Sequence, residues 1–178
     1  MDHDRYSDDY IAEILGSART FAFVGASANS SRPSYFAMKY LLGKGYTIIP
    51  VNPAFAGKEE ILGQKVYATL ADLPAPVDVV DIFRSLDAAL EITREAIALK
   101  DKLGLTTIWM QLGVKNDKAA AQAEAAGLRV VMNRCPKIEY GRLSGEIGWA
   151  GVNSGKISSL RPKLAEHGVQ SHVIAGKR

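Results

Sequence analysis

Five short segments carry the residues whose types could do chemistry: Gly25-Ala26-Ser27, Val51-Asn52-Pro53, Phe83-Arg84-Ser85, Gln111-Leu112-Gly113 and Asn133-Arg134-Cys135-Pro136. Each follows an apolar, β-branched run, where the loops of a parallel sheet gather at one edge. In the first, Gly25 allows close backbone approach, and Ser27 offers a hydroxyl and an amide just before a helix start. Exposed amides and the positive end of a helix make that an anion site, best suited to a pyrophosphate.

The dinucleotide fingerprint is absent. The second and third glycines of Gly-x-Gly-x-x-Gly are replaced by Ser27 and Ser30, and the second strand ends in Asn52 where a carboxylate would grip the ribose diol of NAD. With Arg32 and Lys44 nearby, the residues favour a ligand carrying more phosphate charge than NAD. The 3′-phosphoadenosine diphosphate of coenzyme A meets that requirement, and so does NADP. A phosphate loop of the nucleoside-triphosphatase kind fits worse, since Gly155-Lys156 is followed by Ile157, lacks the upstream glycine at the required spacing and follows no expected strand.

Other reactive side chains have plainer roles. Cys135 after a buried strand reads as a small core residue, although Arg134 and Lys137 could lower a thiol pKa if they turned toward it. Glu139 reads as a surface or capping residue and Asp81 as a polar position within its strand. Arg84 stands either at the ligand edge or in a surface ion pair. Trp109 and Trp149 read as packing residues, and His167 and His172 are spaced too poorly for a shared helical face to hold a metal.

These segments need elements to hold them. A first helix is expected from Ser7, as N-cap, to Gly16. Strands are expected over Thr20–Val24, Tyr46–Val51, Val77–Phe83, Leu105–Met110 and Leu128–Met132. Helices follow from Pro33 to the Gly43/Gly45 stop, from Leu86 to Leu103 and from Asn116 to Ala126, and the stretch from Asn52 through Gly63 is irregular. The alternation predicts an α/β fold: Rossmann-like, doubly wound, a five-stranded parallel sheet with helices on both faces. One Rossmann-like domain is expected over residues 1–140. Past Glu139 glycines interrupt the pattern, and residues 141–178 read as an extension packing on the domain, on a protein partner or on another copy.

Composition narrows the class further. The chain has 178 residues, 47% hydrophobic and 23% charged, as in an ordinary globular protein. A net charge of +3 with scattered basic residues gives no nucleic-acid face. The acidic, polar start and the lack of a long apolar run point away from secretion and the membrane. One cysteine allows no intrachain disulfide and fits a reducing, cytoplasmic setting.

Taken in order, Val24-Gly25-Ala26-Ser27, Arg32-Pro33-Ser34-Tyr35, Gly45-Tyr46, Pro50-Val51-Asn52-Pro53, Leu73-Pro74, Val79 to Arg84, Trp109 to Gly113 and Asn133 to Glu139 resemble the small stand-alone coenzyme A-binding proteins. These are similar to the nucleotide-binding domain of the succinyl-CoA synthetase alpha subunit. The resemblance implies that Gly25, Ala26 and Ser27 hold the pyrophosphate, that Arg32 and Ser34 add phosphate contacts, and that Asn52 and Pro53 flank the adenosine. It implies that Phe83, Arg84 and Ser85 line the nucleotide or the start of the pantetheine arm, with Gln111 and Gly113 completing the opposite wall. That alpha subunit also has a second domain with a phosphorylated histidine, whereas this chain has no histidine between His3 and His167. The expected function is therefore binding of CoA or an acyl-CoA without catalysis. The alternative is an NADP-linked oxidoreductase or an acyl-CoA transferase or ligase component.

Overall fold

The expected strands are present and all parallel. They are β1 (Thr20–Val24), β2 (Thr47–Val51), β5 (Val79–Ile82), β6 (Thr107–Met110) and β7 (Arg129–Val131), in the order β2-β1-β5-β6-β7, while β3 (Glu60–Ile61) and β4 (Gln64–Lys65) form a separate antiparallel pair. The computed structural model describes residues 1–146. Trp149, His167, His172, Gly155-Lys156 and most of the expected extension lie outside them. Two units form by contact: Ala18–Cys135, which holds the whole sheet, and Met1–Ser17 together with the chain from Pro136.

Every residue of β5 and β6 is buried, which explains their unbroken apolar sequence, because helices cover both faces. On one face Ala22, Val80, Ile82, Ile108, Met110 and Val130 pack with α3 (Leu86–Ala98) and α5 (Asp117–Ala125). Those helices present alanines, Ala89 and Ala96 against Ala119, Ala120 and Ala123, and so close tightly on the sheet. Phe21, Phe23 and Trp109 point to the other face, the side of α2 (Pro33–Gly43) with its buried Ala37, Met38 and Leu41. Trp109 is a core residue, its indole N–H donating to the Arg134 carbonyl at 2.8 Å.

Besides strand ends that move by a residue or two, the structure departs from the sequence reading in the following places. The expected strand Val77–Phe83 begins two residues late: Val77 N–H donates to Leu103 O outside the sheet, and Asp78 N–H only reaches Thr20 O, at the first residue of β1. The helix expected over Leu86–Leu103 breaks at Leu99 and resumes as α4 (Lys100–Leu103), ending at Gly104 in the left-handed region. Within the irregular stretch β3 and β4 make a two-stranded hairpin, followed by a 3-10 turn at Leu70–Asp72 capped reciprocally by Thr69 and Asp72. Beyond Cys135 a further helix, α6 (Pro136–Leu143), runs through the expected boundary at residue 140.

The second unit contains α1 (Asp8–Ser17), whose Tyr10 N–H donates to Ser7 Oγ at 3.2 Å, as expected of an N-cap. Arg142 of α6 reaches Asp8 at 2.8 Å and Glu139 at 2.8 Å. Glu139 is therefore a buried member of an ion network rather than a surface residue. No helix among the described residues is long and apolar enough to cross a membrane.

Candidate functional site

The chain leaves β2, returns past β1 and continues with β5, so the strand order reverses between β1 and β5. A cleft of about 440 Å³ opens at that point, in the size range of small-molecule sites. Its floor is Val24 and Gly25 after β1, with Val51, Asn52 and Pro53 after β2. One wall is Ala68, Thr69 and Leu70, and the other is Arg84 with Ala88, Glu91, Ile92 and Glu95 of α3.

Gly25 has a φ of +89°, and a Cβ there would lie 2.7 Å from both the Phe83 carbonyl oxygen and Arg84 Cδ. Glycine is needed so that the β1 and β5 loops can cross this closely. Its own N–H is committed to Val51 O at 2.9 Å. The N–H groups of Ala26, Ser27, Ala28 and Ser30 donate to no acceptor among the described residues, and they lead into the start of α2. Side chains shape that loop: Ser27 Oγ accepts from Asn29 N–H at 3.2 Å, and Asn29 Oδ1 accepts from the Ser31 N–H and hydroxyl. Asn52 Nδ2 donates to Ala26 O at 2.7 Å, tying the β2 loop to the β1 loop.

Pro33 occupies the first turn of α2, where its missing N–H leaves no donor unpaired. Ser34 follows, buried, its hydroxyl without a hydrogen bond among the described residues. Arg32 is exposed at the N-cap and lies outside the cleft lining. Arg84 is exposed and makes no ion pair or hydrogen bond among the described residues, while its aliphatic stem lies over Gly25. Ser85 caps α3 by position, again exposed. The Phe83 ring turns away to pack on Phe23 at 4.9 Å, so this residue shapes the cleft through its carbonyl.

Gln111 and Gly113 stand elsewhere. Gln111 is buried with its amide on Asp81, and Gly113 N–H donates to Asn133 Oδ1 at 2.8 Å. The wall expected from these two is supplied by α3. Sequence reasoning missed Ala88, Glu91, Ile92 and Glu95, although their i, i+3, i+4, i+7 spacing marks one helical face. With two glutamates on it, that face reads as a solvated surface until the cleft is seen beside it. The 68–70 wall carried no local signal.

Electrically the cleft is mixed. Arg84 stands at its mouth, and Glu91 and Glu95 lie along α3, with Glu91 paired to Arg94 at 2.7 Å. Apolar surface from Val24, Val51, Pro53, Leu70 and Ile92 dominates between them. Cys135 is buried, in keeping with its plainer reading, and no group of three or more His, Cys, Asp or Glu gathers among the described residues to hold a metal. An apolar slot beside unpaired loop amides and a guanidinium suits a flat base joined to phosphates.

Known proteins resemble this arrangement. The family model described as CoA binding domain matches residues 19–141. The uncharacterized protein YneT of Bacillus subtilis is 31% identical over 130 residues, 73% of this chain and 91% of that protein. A hypothetical protein from Pyrococcus horikoshii is 39% identical with a TM-score of 0.71, over 79% of this chain and 94% of that one. A dinucleotide-forming acetyl-coenzyme A synthetase from Ca. Korarchaeum cryptofilum, solved with phosphate and ADP, is 25% identical with a TM-score of 0.55. That match covers 68% of this chain and 27% of the synthetase. The Rossmann-like sheet, the cleft at its reversal point and the match across most of the chain lead to one conclusion: this chain belongs to the CoA binding domain family.

Proposed function

We propose that the chain binds coenzyme A or an acyl-CoA through its phosphoadenosine diphosphate moiety, as a module without bond chemistry of its own. The observation that carries this reading is the run of unpaired amides at Ala26, Ser27, Ala28 and Ser30, opening beside an apolar cleft with Arg84 at its mouth. The amides and the start of α2 receive the diphosphate, with Arg32 and Ser34 adding contacts. The adenosine lies between Asn52-Pro53 and the Ile92 face of α3. Arg84 and Ser85 meet phosphate or the first part of the pantetheine arm, Gly25 and the Phe83 carbonyl setting the spacing. Gln111 and Gly113 take no part in this reading, since Gln111 Nε2 is already bonded to Asp81 and the Gly113 N–H to Asn133. Calorimetric titration with CoA, NAD and NADP tests this. Heat with CoA in clear preference to NAD supports it, and no heat with CoA at millimolar concentration overturns it.

A second reading, as a component of an acyl-CoA ligase, is favoured by the likeness to the acetyl-coenzyme A synthetase. It predicts turnover with a second substrate or subunit. If Arg84→Ala alters only affinity and never a rate, that reading loses its support.

A further inference from the structure

The polar side chains that line the cleft are those of Asn52, Thr69, Arg84, Glu91 and Glu95. Asn52, Thr69 and Glu91 are spent within the protein. Asn52 donates to Ala26 O and accepts from the Ala54 N–H, the Thr69 hydroxyl donates to Asp72, and Glu91 is paired with Arg94. The side chains of Arg84 and Glu95 make no hydrogen bond or ion pair among the described residues.

Nothing in the helix itself calls for an acid at position 95. Glu95 stands in the last turn of α3, where the partial negative charge of the helix end disfavours a carboxylate, and no basic residue lies in that turn to offset it. The cations nearest along the chain are engaged elsewhere. Arg94 holds Glu91 and Gln122, Lys100 donates to the Ala126 carbonyl, and Lys102 donates to the Ala71 carbonyl.

The two unengaged charges are opposite in sign and stand apart. Arg84 comes just before α3, and Glu95 lies about three turns on, along the cleft face shared with Ala88, Glu91 and Ile92. From Leu86 to Glu95 the helix rises about 14 Å. Val24, Val51, Leu70 and Ile92 make the lining between them apolar. Such a slot fits an elongated ligand with an anion at one end, an N–H donor at the other and a flat body between. A nucleoside diphosphate whose base carries an exocyclic amine has that form, with its phosphates toward Arg84 and its amine toward Glu95.

Given CoA as the occupant of the cleft, the reading on which this step rests, we propose that Glu95 is the residue that recognises the base. Its carboxylate accepts from the 6-amino group of the adenine, one turn beyond the Ile92 face on which the ring lies. With Arg84 on phosphate, it fixes the direction in which the nucleotide enters. A base without that amine leaves the carboxylate facing an apolar ring edge, and the bond is lost with nothing in its place.

Calorimetric titration of the full chain compares CoA with a CoA analogue whose base is unsubstituted purine, which keeps the ring and lacks the amine. The natural protein binds CoA about tenfold more tightly than the analogue. In Glu95→Ala the two ligands bind within about twofold of each other, and CoA itself still binds. Equal affinity for the two ligands in the natural protein overturns the role of Glu95 while leaving CoA binding intact, and that comparison needs no variant to fold. An undiminished preference in Glu95→Ala overturns it as well, because the amine is then recognised elsewhere. No heat with CoA in the natural protein removes the CoA reading of the cleft, and the role of Glu95 with it.

Discussion

At Gly25 two constraints coincide: a positive φ and a neighbouring carbonyl only 2.7 Å from where a Cβ would stand. Backbone cannot swing aside as a flexible side chain can. Gly25→Ala is expected to cost roughly 1–3 kcal/mol in urea unfolding, so unchanged stability would refute the close crossing. Arg84 is the opposite case. Being exposed and unpaired, Arg84→Ala should leave stability within about 0.5 kcal/mol. If its guanidinium meets a phosphate, CoA affinity should fall roughly tenfold or more by calorimetry. The sequence could name Gly25 and Arg84 because both adjoin strand ends, where topology fixes position. It could not say which way Gln111 turns, because that depends on Asp81, thirty residues earlier in the chain.

Among the elements, the strands of the sheet were legible because burial on both faces demands continuous apolar runs. The β3–β4 hairpin was not, since each strand is two residues long and carries no periodicity. Its turn holds Leu62 at φ 54° beside Gly63 at φ 74°, a primed geometry that favours Asn or Gly at the first position. Leu62→Gly is expected to raise stability by about 0.5–1 kcal/mol, read from the midpoint of denaturant unfolding. A lower midpoint would mean that packing by the half-buried leucine outweighs its backbone strain. The break at Leu99 was equally hidden, because residues on both sides of it favour helix.

For the molecule as a whole, the widest connection is the ion network of Arg142, Glu139 and Asp8, which joins α6 to α1 across almost the entire described chain. The side chains of Arg142 and Glu139 are 18% and 10% exposed, so removing Arg142 takes a close cation from a poorly solvated carboxylate. Arg142→Ala is expected to cost about 2–4 kcal/mol, to speed amide exchange in α1, and to be partly rescued by adding Glu139→Gln. Exchange in α1 unchanged by the first substitution would show the network to be ornamental.

By itself the sequence determined the Rossmann-like class and the loops that carry the candidate site. Both follow from local patterns: apolar runs, helix starts, and glycine or asparagine at strand ends. Tertiary structure decided what those patterns leave open. It committed the Gly25 amide to Val51, made α3 a wall of the cleft, buried Glu139 against Arg142 and left Asp81 with a single amide as partner. Each of these depends on groups brought together from distant parts of the chain, and no local spacing records such a meeting.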